Sequence, residues 1–186
     1  MTATALVYVS ATTFIFKYYS IHPDHQILIG LFAAFRHVTV STVGVLKTMR
    51  RLSDEIPYVS LALSLHAPNQ EVRLKIVPAA SAHHIDKLME AVDYHNAKNR
   101  EAHIQRKISR HGVDPSEANA AKRVEKFANV MIEYILIKDV NDLEAHAIEL
   151  ATLLAPRREN IILNLIPYNP TTVAEDYEPP TEDSVT

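Results

Sequence analysis

Apolar positions along this chain alternate between short continuous runs and stripes at helical spacing. His37-Val38-Thr39-Val40-Ser41 is rich in β-branched residues and predicts a strand. Gly44 then opens a short helix with Val45, Met49 and Leu52 on one face. Tyr58–Leu65 is the next strand, followed by one or two helical turns over Asn69–Ile76. Ile85, Leu88, Met89 and Val92 recur at i, i+3, i+4 and i+7, so an amphipathic helix starts near Ser81. Val130–Ile137 is a third strand, apolar almost throughout. Asn141-Asp142-Leu143-Glu144 has the form of a capping box with Asn in place of Ser or Thr. The helix it opens runs to about Ala155 and turns Leu143, Ala147, Leu150, Ala151 and Leu154 inward. Ile161–Ile166 is a fourth strand, closed by Pro167-Tyr168-Asn169-Pro170. Apolar strands separated by amphipathic helices predict an α/β fold of βαβ units with mostly parallel strands. Four such units are too few for a closed eight-stranded barrel and suit part of one, or an open sheet.

Two stretches break this rhythm. Residues 1–35 carry only Lys17 and Asp24 as formal charges and hold two apolar runs, Ala3–Phe16 and Ile27–Phe35. Neither reaches the roughly 18–20 residues that span a bilayer. No Arg-rich transit pattern or basic secretory n-region is present. The segment reads as sequence foreign to the rest. A signal anchor, or a strand and helix of the same fold, are the alternatives. Between residues 98 and 126, eight basic residues stand against four acidic ones, Glu101, Asp114, Glu117 and Glu125. This polar, partly helical insertion is either a solvated loop or an electrostatic footprint for RNA. The tail over 171–186 is acidic, proline-containing and irregular. The chain thus divides into 1–35, a core over 36–170 and a tail.

Composition narrows the chemistry. Apolar content of 47% and charged content of 22% are those of an ordinary globular protein. A net charge of −3 exerts no global pull on nucleic acid. The chain has no cysteine, which excludes disulfides, thiolate zinc sites, cysteine nucleophiles and cysteine-ligated iron–sulfur clusters. Gly30, Gly44 and Gly112 are the only glycines, so a glycine-rich phosphate loop is also excluded. His83 and His84 sit at a helix start, and His95, His103 and His111 fit no zinc spacing, so no metal site is expected. A cytoplasmic or organellar setting is the expectation for such a sequence.

Parallel strands share a C-terminal edge, where α/β proteins build ligand sites. On that edge fall Ser41, then Ser64 and His66, then Asn141 and Asp142, then Asn169. Asn141 and Asp142 are assigned to capping. His66 suits a general base, a metal ligand or a hydrogen-bond donor. No carboxylate lies at a telling spacing from it, so no catalytic residue is assigned.

Five segments occur in an order that carries a resemblance: Arg36–Val45, Ser64–Asn69, Ile132–Leu136, Val140–Asp142 and Asn164–Pro170. Over about residues 36–180 the chain resembles the radical S-adenosylmethionine (SAM) methyltransferases that act on C2 of adenine in ribosomal RNA and some tRNAs. The resemblance implies the second half of a partial, TIM-like (β/α) barrel, truncated here, that holds a [4Fe–4S] cluster and SAM. It puts the SAM contacts on Ser41, on Ser64, Leu65 and His66, and on Asn169. It also implies rRNA or tRNA as partner. The family's three-cysteine cluster motif, its glycine–glutamate strand and its methyl-carrying cysteine have no counterpart in this sequence. The expectation is therefore an inactive fragment or decayed paralogue. The alternative is a non-catalytic half-barrel that binds SAM, RNA or a partner chain. An unrelated α/β enzyme using His66 stands third. A half-barrel also leaves a sheet edge open, so self-association is expected.

Overall fold

The computed structural model describes residues 6–9, 14–16, 38–111, 130–170 and 176–181. Among the described residues, six strands and four helices of about two turns or more follow in the order β1 (Leu6–Val9), β2 (Phe14–Phe16), β3 (Val38–Thr42), α1 (Leu46–Glu55), β4 (Ser60–Ser64), α2 (Gln70–Ile76), α3 (Ile85–His111), β5 (Val130–Leu136), α4 (Glu144–Leu154) and β6 (Ile161–Pro167). They form one sheet of spatial order β2-β1-β3-β4-β5-β6. The four strands from β3 to β6 are parallel. Beyond them, β1 runs antiparallel to β3, and β2 antiparallel to β1. The N-terminal segment thus supplies two strands to the sheet and covers the β3 edge. The β6 edge has no neighbouring strand among the described residues.

Although β5 is apolar almost throughout, its burial alternates along the strand. Val130, Ile132, Tyr134 and Leu136 join Leu61 and Leu63 of β4, and Leu65 just after it, in the core. Met49 of α1, Leu88 and Val92 of α3, and Leu150 and Leu154 of α4 pack against them. Burying such a side chain stabilises the fold by about 1.5–3 kcal/mol. The opposite face is set by the register. Ser41 pairs with Ala62, Ser64 with Glu133, and Glu133 with Asn164. That face alternates with the core face and carries the polar side chains.

Among the described residues Gly44, His66 and Asp139 have positive φ, and the first two border the rim. Gly44, just after β3, has φ +96°, and a Cβ there would lie 2.6 Å from Leu88 Cδ2. Only glycine meets both demands without displacing the α3 core residue. His66, two residues after β4, has φ +58° without being glycine.

The helix that starts at Ile85 runs far into the basic stretch, as far as His111. Its second half packs at the N-terminal ends of the strands. Asn96 Nδ2 donates to Asn160 O at 3.0 Å, and Arg100 Nη2 to Asn160 Oδ1 at 2.6 Å. Arg106 lies over the Tyr58 ring, 5.9 Å from its centroid. The described basic side chains of the stretch therefore sit at the opposite edge from the rim. Residues 112–126 lie outside the described residues. At the rim itself, Lys138 N donates to Glu178 O at 3.1 Å, and Tyr168 and Tyr177 meet edge to face. Residues 176–181 are irregular, as expected. Among the described residues, no helix is long and apolar enough to cross a membrane.

Candidate functional site

The strand ends from β3 to β5 bring three polar side chains into direct contact. Ser41 Oγ donates to Glu133 Oε2 at 2.9 Å, and Ser64 Oγ donates to the same oxygen at 3.0 Å. The two hydroxyls are 3.5 Å apart. Parallel register explains the meeting, because Ser64 is the direct cross-strand partner of Glu133. Oε1 is used by neither serine and remains the acceptor this cluster can offer a ligand. Asn164 of β6 stands beside Glu133 on the same face.

The chain turns back beside this cluster at His66. A non-glycine residue in the left-handed region costs of order 1 kcal/mol and persists where the surroundings impose it. Here they do. His66 N donates to Glu133 O at 3.3 Å, His66 O accepts from Asn141 Nδ2 at 2.8 Å, and Nδ1 accepts from Ile135 N at 3.1 Å. An accepting Nδ1 assigns the ring proton to Nε2, which becomes a donor. Desolvation lowers the His66 pKa to about 4; the Glu133 charge opposes the shift and Arg73 adds to it. The ring is therefore neutral near pH 7.

Arg73 of α2 is fully buried. Its Nη2 donates to Val43 O at 2.7 Å and holds the loop before Gly44. Among the described residues Nε and Nη1 have no hydrogen-bond partner, and burial lowers the pKa. Its charge adds to the desolvation that disfavours a cation at His66.

Four findings amend the sequence reading. A carboxylate does stand by the predicted rim: Glu133 was missed because its partners are remote in sequence. Its only local signal is a charge in the middle of an apolar strand. Asn141 is not a helix cap. The helix begins at Glu144 with Leu143 as its uncapped flank. The Asn141 side chain instead accepts from Ile137 N at 2.7 Å and donates to both Ile135 O and His66 O. Leu65 is fully buried on the core face, so only its main chain faces the rim. Leu143, Ala147 and Ala151 are exposed rather than packed inward. Asn169 lies exposed, two residues past β6. No group of histidines and carboxylates among the described residues could hold a metal.

A carboxylate acceptor, a neutral imidazole donor and two hydroxyls form a surface for a neutral or cationic polar ligand with several hydroxyl or amino groups. No family model matches the chain. It is 37% identical over 157 residues to a probable dual-specificity RNA methyltransferase RlmN of Listeria welshimeri, covering 84% of this chain and 35% of that protein. The like-named protein of Oceanobacillus iheyensis is 37% identical over 159 residues, 86% of this chain and 36% of its own length. The crystal structure of a radical SAM methyltransferase from Sphaerobacter thermophilus superposes with a TM-score of 0.61 at 33% identity. It covers 81% of this chain and 36% of that one. The chain spans about a third of the length of the relatives it matches.

Proposed function

We propose, from the premise that this chain is a relative of the RlmN radical SAM RNA methyltransferases, that its rim binds the adenosyl group of SAM without performing methyl transfer by itself. One observation carries the reading: Ser41 and Ser64, near the C-terminal ends of β3 and β4, converge on Glu133 in the middle of β5 beside a neutral His66. The residues fit such a ligand. Glu133 Oε1 would accept from ribose hydroxyls or the amino group, and His66 Nε2 would donate. Leu65 would offer main chain only, and Asn169 would approach from the loop after β6. SAM, where bound, supplies an activated methyl group and an adenosyl group. A [4Fe–4S] cluster held by thiolates does not fit, because the chain has no cysteine. No radical step is assigned to these residues. RNA is the partner class that the relatives' name suggests for a larger assembly.

Calorimetric titration of the purified chain with SAM and with S-adenosylhomocysteine tests this. Saturable binding is expected, weakened about tenfold or more by Glu133→Gln and by Ser64→Ala. That loss corresponds to one hydrogen bond to a charged group, about 1.5–3 kcal/mol. A null titration with wild-type chain, or equal affinity in both folded variants, would overturn it. Thermal melting of each variant separates lost binding from lost fold.

A further inference from the structure

From the edge strand β6 we infer that the chain forms a two-fold symmetric dimer by antiparallel pairing of β6 with β6 of a second copy. Three observations lead there. First, β6 is the last strand of the sheet on its side among the described residues. Asn160 O accepts from Val130 N, and Tyr168 N donates to Leu136 O, so even-numbered residues bond to β5. Main-chain groups of Ile161, Leu163 and Leu165 consequently point away from the sheet. Pro167, which has no N–H to leave unpaired, falls in the same outward set.

Second, natural edges are guarded by charge or proline, and this one carries no charge and a proline only at its last residue. No charged residue occurs from Asn160 to Pro170. Ile162, Leu163 and Leu165 are 47%, 40% and 45% exposed. Leu163 and Leu165 also floor a groove of about 460 Å³ against Ala147, Leu150, Ala151 and Leu154. An apolar edge of this kind calls for a cover.

Third, the strand itself says what the cover is. Ile162-Leu163-Asn164-Leu165-Ile166 reads the same in both directions. A two-fold axis through Asn164 sets Leu163 against the partner's Leu165 and Ile162 against the partner's Ile166. Every cross-strand position then meets an equally apolar or identical one. The outward set makes each Leu163–Leu165 pair a hydrogen-bonded one, exchanging both N–H···O bonds. Asn164 faces the partner's Asn164 across the axis, where side-chain amides can bond each other. A one-residue slip would put core-side leucines on the polar face, so the register is fixed. Such an isologous contact closes at two copies. It uses the strand edge alone and does not depend on whether SAM binds.

Sedimentation velocity of the full chain from low to high micromolar concentration, with two charge variants, tests the pairing. The wild-type chain should move from monomer toward dimer as concentration rises. L163K/L165K sets like charges against each other in both cross-axis pairs and should remain monomeric. L163K/L165E sets opposite charges against each other in the same two pairs and should dimerise again. Circular dichroism establishes that both variants are folded. A monomer at all concentrations, open-ended aggregates, or equal behaviour of the two variants would overturn the inference.

Discussion

His66 carries an electrostatic consequence at the scale of a single residue. Its pKa falls from 6.5 to about 4 on folding because the ring is desolvated. His95 moves the same way. It is buried between Ser53 Oγ and Val59 O, and desolvation lowers its pKa too. When the folded pKa of a histidine lies below the unfolded one, the unfolded chain binds more protons in between. Both contribute stability that is present above the unfolded pKa and is lost as pH falls, for His66 over the window from 6.5 down to about 4. For His66 the whole shift is worth up to about 3 kcal/mol. Urea unfolding at pH 7.5 and pH 4.5 should show the loss. His66→Asn, which tolerates the left-handed backbone, should lose less on acidification. Equal acid sensitivity of wild type and variant would contradict the burial of this ring.

The junction of β4 and β5 shows how elements are tied, and why Asn141 resisted reading from sequence. Asn followed by Asp and then Glu is a helix-start pattern, and the helix does start nearby. Yet Asn141 is only 2% exposed and spends its amide on Ile135 O, Ile137 N and His66 O. Tyr134 Oη adds a bond to its carbonyl at 2.8 Å. Asn141→Ala would leave the buried Ile137 N–H and two carbonyls unpartnered. Each orphaned group costs about 1–3 kcal/mol, so a loss of roughly 3–5 kcal/mol is expected. The left-handed turn at His66 should loosen with it. Denaturant midpoints read the first effect, and adenosyl affinity the second. Asn141→Asp keeps only the acceptor for Ile137 N and should lie between wild type and Ala in stability. The strands and helices themselves were legible, because hydrophobic period decides them locally. The contacts at their ends were not, because register between strands 69 residues apart, Ser64 and Glu133, is a tertiary fact.

At the scale of the whole molecule, β1 and β2 cover the β3 side of the parallel strands, while β6 ends them on the other side among the described residues. The sequence of residues 1–35 showed no affinity with the βαβ pattern, and its strands were visible only as apolar runs. Antiparallel pairing of β1 with β3 needs no matching motif, only an extended apolar segment within reach, so composition could not announce it. An open sheet edge was expected without its side being assigned, and the palindromic order of β6 suits a second copy at that edge. This asymmetry predicts a pattern of hydrogen exchange. Amides of β4 and β5, bonded on both sides and backed by the core, should exchange slowest, through global unfolding. Leu163 and Leu165 have N–H groups that point away from β5, so in a monomer they should exchange readily despite lying in mid-strand. In a dimer paired about Asn164 they should be protected, and the protection should rise with protein concentration. The neighbouring amides of Asn164 and Ile166, already bonded to β5, should change little. Residue-resolved exchange at two concentrations separates these outcomes. Protection of Leu163 and Leu165 that does not vary with concentration would place a strand of the same chain on this edge instead of a second copy.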